Sequence, residues 1–422
     1  MLTFVYLAKK VRMRKLLTIL FLGLIAILPS GAQTAADSAR LSYAVRGRVV
    51  DSRRSRPMEA VHVSVPGRSY ATVTNADGRF ILKSNEAIRE LEFSYVGYRT
   101  RRQAVAEDGR DIVVKLYREE AVLDEASIVS GDPRQIVEAA VEQIWNSYCT
   151  ESRLLGCFYR ETLQKRGRYT YVAEAVARLY KRKYDMSIYR DAAALEKSRV
   201  LISQRRRDTL SVKTQGGPAM ALSLDVVKNP EILLNKDDMA LYSYELLKPV
   251  YIGDRLQFVV AIHPDGEADY PLYHGKLYID RELLSFTRVE LSMDMKDKRK
   301  AAGVLLVRKP ATLRFVPEEA SYILNYSLKD GSSTLSYFRS TLRFSCDWRK
   351  RLFKTRYTAV NELVVTDVRE PATPISRKEK FSVRDILEDK AAEFRDPDFW
   401  KDYNIIAPSE SLEHAFDRLK KR

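Results

Sequence analysis

The sequence predicts a mainly β protein. An N-terminal sandwich of the seven-strand type is followed by a linking helix and a large curved antiparallel sheet with short C-terminal helices. Three observations carry this prediction. Short alternations of apolar and polar residues recur between turn signals from Tyr43 to Tyr117. One helical period lies between Asp132 and Tyr148. Longer alternations then dominate to residue 370, and tyrosine (24) outnumbers phenylalanine (15) and tryptophan (3), as suits half-buried sheet faces.

The first element, residues 1–32, reads as a signal peptide. Lys9, Lys10, Arg12, Arg14 and Lys15 precede an apolar run from Leu16 to Leu28, and Pro29 to Ala32 supply small residues for cleavage. Met13 is an alternative start. The run falls short of the roughly 20 residues that span a bilayer, which makes an anchor helix the lesser alternative. No cysteine follows it, which argues against a lipid anchor. Export to the periplasm or to the outer-membrane surface is therefore expected.

Composition narrows the classes further. The 422 residues are 45% apolar and 30% charged, enough for packed cores and too varied for disorder or a collagen-like chain. The length implies two or three domains. A formal charge of +16 first points to nucleic acid, but cleavage after Ala32 removes five basic and no acidic residues, leaving +11. Residues 43–117 carry 14 basic and 9 acidic residues, and residues 371–422 carry 11 of each. Basic runs at Lys181 to Lys183, Arg205 to Arg207, Lys298 to Lys300 and Arg349 to Arg351 read as solvated turns or edge strands. Nucleic-acid binding needs clustered phosphate contacts, so it is not expected; a weak attraction to anionic envelope surfaces is.

The sandwich is assigned to residues 43–117. Val45, Gly47 and Val49 alternate with polar neighbours, and Asp51 to Pro57 form a turn. Val61, Val63 and Val65 alternate next, ending at Pro66-Gly67. Ala71 to Thr74 run into Asn75-Ala76-Asp77-Gly78, where glycine supplies the positive φ of a tight connection. Phe80 to Leu82, Leu91 to Tyr98 and Ile112 to Leu116 complete the set. The segments at 45–51, 61–67, 71–80 and 93–98, in this order and spacing, resemble the carboxypeptidase regulatory-like domain. That resemblance implies a transthyretin-like β-sandwich with a non-catalytic packing or docking role. It implies no peptidase activity, which belongs to a separate zinc domain. Such a domain needs clustered histidine and glutamate ligands. His62 on a sandwich strand and His414 in a C-terminal helix have no ligand-like neighbours in sequence.

Residues 118–132 form a linker. Asp132 and Pro133 then open a helix whose apolar face comprises Ile136, Val137, Ala140, Val141, Ile144, Trp145 and Tyr148. Together with the large antiparallel sheet, this helix makes a domain over 133–370. Strands are expected at Gly156 to Glu161, Val289 to Met295, Tyr322 to Leu328, Thr334 to Phe344 and Thr355 to Val365. Tyr169 to Tyr180 fits a helix or a strand and is read as a strand, and Ala219 to Asn235, with mixed helix and turn signals, is read as a short helical insertion. The tail, 371–422, is expected to pack back on the sheet, its last helix presenting Leu412, Phe416 and Leu419.

The linker with Leu123-Asp124-Glu125, the helix ending at Asn146 to Tyr148 and the strand Gly156 to Glu161 also resemble an exported bacterial envelope protein family. Gly275 to Asp280 and Phe399 to Pro408 fit the same pattern. This resemblance implies a location and an architecture, and no chemistry. The sheet is similar at the level of fold to the half-barrels of lipoprotein carriers.

Chemistry is sparse. His263, Asp265, Glu267, Asp269 and His274 form the one concentrated polar group. They could hold a divalent ion, but a polar hairpin loop built on Pro264-Asp265-Gly266 explains them better. No nucleophile elbow, phosphate loop or dinucleotide fingerprint occurs. Cys149 and Cys157 are either bridged, in an oxidising compartment, or separately buried thiols, and Cys346 reads as a core residue. The sequence thus predicts no catalytic, cofactor-binding or metal residues and no cofactor. It predicts a binding protein for an envelope protein, glycan or lipid, with peripheral membrane association a further possibility. The alternatives are a hydrolase of envelope material, using His263 or His274, and an apolar-cargo carrier with a cavity between sheet and helix.

Overall fold

The computed structural model describes residues 2–4, 41–106, 109–119, 132–184, 191–203, 212–329, 331–348, 354–393 and 399–420. Within the predicted signal peptide only a short strand, β1 (Leu2–Phe4), is described. Residues 120–131 of the linker and the basic runs at 205–207 and 349–351 lie outside the described residues.

The sandwich has seven strands: β2 (Tyr43–Asp51), β3 (His62–Ser64), β4 (Ala71–Val73), β5 (Arg79–Ser84), β6 (Glu90–Ser94), β7 (Arg101–Ala104) and β8 (Ile112–Leu116). They form two sheets ordered β5-β2-β8 and β4-β3-β6-β7. Alternation turns Val45, Val49, Val63, Phe80, Leu82, Leu91, Phe93 and Val114 into one buried core. The Asp77-Gly78 turn forms as read. Gly78 has φ +72°, and a Cβ there would meet the Val49 carbonyl oxygen at 2.4 Å. The Asn75 side chain accepts the backbone N–H groups of Asp77 and Arg79, both at 2.9 Å.

The large domain opens with α1 (Pro133–Glu142) and α2 (Ile144–Ser147). Asp132 caps α1 by accepting from Arg134 N at 3.0 Å. Ile136, Val137 and Ala140 are buried as predicted, but the helix breaks at Gln143. Beyond it Ile144 and Tyr148 are buried as predicted, whereas Trp145 is 53% exposed.

Three long strands follow, β9 (Arg153–Lys165), β10 (Arg168–Lys181) and β11 (Ala192–Ile202), and then the short β12 (Val212–Thr214). The predicted insertion holds α3 (Ala219–Ser223), a 3-10 turn (Pro230–Ile232) and α4 (Lys236–Met239). A meander continues as β13 (Tyr242–Ile252), β14 (Arg255–Pro264), β15 (Tyr273–Asp280) and β16 (Phe286–Met293). After α5 (Lys298–Leu305) and β17 (Leu306–Arg308) come β18 (Leu313–Lys329), β19 (Ser332–Trp348) and β20 (Thr355–Arg369). The tail adds β21 (Lys380–Phe381), β22 (Ala392–Glu393) and α6 (Glu410–Lys420). The run Lys298 to Lys300, expected as a turn or edge strand, is the first turn of α5, because Asp297 caps the N–H groups of Arg299 and Lys300.

The large sheet has 12 strands in the order β13-β14-β15-β16-β18-β19-β20-β9-β10-β11-β21, with β22 also on β11. Its prolines sit where they cost least. Pro249 lies in a register shift of the edge strand β13, and Pro317 in a shift of β18. β1 pairs outside this sheet, with β12 and β17.

The sheet curves, so that Ala193 of β11 and Ile262 of β14, far apart in strand order, share one hydrophobic core. The insertion fills the concave side: Met220, Leu222, Leu224, Val226, Val227, Leu233, Leu234 and Met239 are all buried there. On the convex side a second cluster joins Val73 of the sandwich, Phe158, Val176, Tyr337 and Val364 of the sheet, and Trp400 and Ile406 of the tail. The sandwich therefore rests on the sheet with tail residues between them.

Candidate functional site

The predicted polar loop lies open at the end of the β14–β15 hairpin. His263 is half-exposed and stands 3.8 Å from Glu245, itself well exposed, and its ring meets that of His274 edge-on at 5.8 Å. Among the described residues no three His, Cys, Asp or Glu side chains gather as a metal site. His62 sits on β3, and His414 lies exposed on α6 beside Glu410 at 3.7 Å. Cys149, Cys157 and Cys346 are free and buried, and burial raises the pKa of each thiol, that of Cys346 to about 12. Thiols so disposed are poor nucleophiles.

The polar groups that matter structurally are inside the sheet, and sequence patterning missed them. Neighbouring positions of the β9–β10 hairpin send glutamates to opposite faces, because side chains alternate along a strand. Glu161 points to the concave side and is fully buried. It accepts from the hydroxyls of Tyr171, Tyr159 (2.9 Å) and Thr214 (3.1 Å), with no cation among these partners. Burial outweighs those hydrogen bonds and pushes its pKa up to about 7.

Glu174 points to the convex side. Arg160 reaches it at 2.7 Å, Arg199 at 2.6 Å and the Trp400 indole N–H at 2.9 Å. Burial alone would raise this carboxyl, but the two guanidiniums and the hydrogen bonds hold it below its ordinary value. Arg160 also donates to the Ile406 carbonyl at 2.7 Å. The tail is in turn bonded to the sandwich. Lys83 Nζ donates to the carbonyls of Trp400 (2.7 Å), Lys401 (2.9 Å) and Tyr403 (2.9 Å), and Thr72 Oγ1 to that of Ile405 (2.9 Å). Asn75 Nδ2 donates to the Pro408 carbonyl at 2.8 Å.

A third cluster pins the insertion. Asp225, fully buried, accepts from Lys181 Nζ (2.7 Å), Tyr326 OH (2.7 Å) and Tyr184 OH (3.1 Å). Lys181 also meets Asp191 at 2.9 Å. Burial lowers the Lys181 pKa, but these two carboxylates more than reverse that and hold it well above its ordinary value. This corrects the expectation for the run Lys181 to Lys183: its first member is 2% exposed and neutralised inside the protein. On the sandwich surface, a cleft of about 420 Å³ lies between the β3–β4 turn and the β5–β6 loop. Arg68 and Glu86, both lining it, form an ion pair.

Among the described residues no helix is long and apolar enough to cross a membrane. No curated protein matches the chain. Three of the solved structures that match are as follows. The MucA/MucB complex of Pseudomonas aeruginosa matches at 13% identity over 57% of this chain and 99% of that one, with a TM-score of 0.18. A DUF1329 family protein from Desulfovibrio piger matches at 13% over 58% and 96%, with a TM-score of 0.27. A LolA superfamily protein from Nitrosomonas europaea matches at 13% over 58% and 99%, with a TM-score of 0.20. These scores are too low to carry an inference about the large domain. The first domain is different. Residues 45–129 match the CarboxypepD_reg-like domain family, so the N-terminal sandwich is a carboxypeptidase regulatory-like domain.

Proposed function

We propose that this chain is an exported, non-catalytic protein of the bacterial cell envelope, acting by binding, with sandwich and sheet joined as one platform. The carrying observation is where its buried polar groups are spent. Asp225 holds the insertion in the concave face, and Glu174 holds the tail between sheet and sandwich. A hydrolytic site or an apolar-cargo cavity would need the concave space that Met220, Leu224 and Leu234 occupy. His263 and His274, the imidazoles a hydrolase would use, sit at the rim of the sheet.

A photo-crosslinking residue at Val113, which is 64% exposed on β8, tests the proposal in intact cells. The expected result is an adduct with an envelope component in the membrane or periplasmic fraction. Recovery of the protein and its adducts in the cytoplasm would overturn it.

A further inference from the structure

We propose that one end of the large sheet is a docking face for an anionic membrane surface. The proposal rests on the envelope reading only for where such a surface would be met. Antiparallel order brings the end of β9 and the starts of β10, β18 and β20 to the same end as the end of β19. The β9–β10 hairpin tip carries Arg166 in its turn and places Arg168 directly opposite Lys165. Arg166 N donates to the Arg356 carbonyl at 3.0 Å, which sets Arg356 beside the tip. The Arg356 side chain is 81% exposed, and Lys354 is exposed next to it. Arg314 lies at the start of β18, and Arg343 lies further in along β19, level with the β9–β10 tip. Against these cations stand Glu319 at 2.8 Å from Arg343, Glu318 at 3.8 Å from Arg356, and Asp347 opposite Arg314. Among these residues the basic ones outnumber the acidic ones.

One local rule is broken at this end. Like charges directly opposite in a sheet are destabilising, yet Lys165 faces Arg168. Sequences that set local preference aside mark positions kept for another purpose. The shape decides the partner. The five strands are adjacent at about 4.8 Å spacing, so their ends span about 20 Å across the sheet, with those of β18 and β19 reaching beyond the β9–β10 tip. That span suits a layer of phosphate headgroups rather than a single small anion, and basic side chains near such a layer attract it strongly. The acidic loop residues Asp265, Glu267 and Asp269 share this end of the sheet, on the β14–β15 flank, and confine the face to β18 through β10.

The test is co-sedimentation of the full mature chain with vesicles of phosphatidylglycerol and phosphatidylcholine, against phosphatidylcholine alone. Binding to the anionic vesicles is expected to be about tenfold tighter and to fall steeply with salt. The double variant Arg166→Glu, Arg356→Glu should lose about tenfold on anionic vesicles with its thermal midpoint unchanged. The single variant Lys329→Glu, at the opposite end of the sheet, should keep wild-type binding. Equal binding to both vesicle types would overturn the proposal, and so would equal losses in the two variants. Binding of soluble polyphosphate without binding of vesicles would also overturn it. Cell fractionation separates this result from the envelope reading: a chain that binds vesicles but stays in the cytoplasm refutes only the latter.

Discussion

Glu161 and Glu174 lie on one hairpin, on opposite faces, and meet burial in opposite ways. Glu174 has two arginines and an indole, and its carboxyl is held below 4.5; Glu161 has three hydroxyls, and its carboxyl rises to about 7. Burial taxes both charges equally in kind. What differs is whether a countercharge was buried with them. The convex face gained a clamp that works best when ionised. The concave face gained a group that folding favours in its protonated form.

The largest expected effect comes from breaking the clamp. Glu174→Gln removes the buried carboxylate that Arg160 and Arg199 share, a loss of about 3–5 kcal/mol. Denaturant unfolding measures it, and hydrogen exchange over residues 399–408 should accelerate with it. A loss below about 1 kcal/mol would mean that the arginines find other partners.

Next comes pH. Because the folded pKa of Glu161 lies above its ordinary 4.5, its stabilising effect is complete below that value and fades as pH rises to about 7. The interval corresponds to about 3 kcal/mol. Glu161→Gln should flatten this part of the stability profile, and an unchanged slope between pH 4.5 and 7 would assign the titration elsewhere. Glu174 pulls the other way, its contribution being lost as pH falls below 4.5.

Smaller changes sharpen the contrast between the two faces. Tyr326→Phe removes one donor from Asp225 and should cost about 2 kcal/mol, with faster exchange in residues 216–240 and none in the tail. Thr72→Val removes the neutral bond to the Ile405 carbonyl. It should cost about 1 kcal/mol and loosen only the seam between sandwich and tail.

The sequence made the sandwich legible because its strands alternate cleanly and Asp77-Gly78 marks a turn. Several long strands of the sheet, β18, β19 and β20 among them, were legible for the same reason, and the insertion showed in mixed helix and turn signals; β11 and β13 were not singled out. The clusters were not legible. Lys181 stands in a run with Arg182 and Lys183 that has the look of a solvated turn, and its partner Asp225 is 44 positions away. Glu161 and Glu174 sit among Tyr, Thr, Ala and Val with nothing local to distinguish a buried acid from an exposed one. Trp145 fits the helical face by its spacing and is nevertheless exposed, while Ile144 and Tyr148 beside it are buried. Residue periodicity reports which face a side chain occupies, and says nothing of which distant charge arrives to meet it.

The seam between sandwich and tail also bears on how the protein is made. Thr72 and Asn75 bond to residues 333 positions later in the chain. The sandwich closes its own core from local strands, so in a chain delivered N-terminus first it can fold early. Its seat on the sheet has to wait for the tail, after every long strand has paired. Until then Val73 and Phe158 lie bare, and contacts of such long range form slowly. The step most exposed to aggregation is therefore the last one, and a holding partner would be most useful to a chain that is nearly complete.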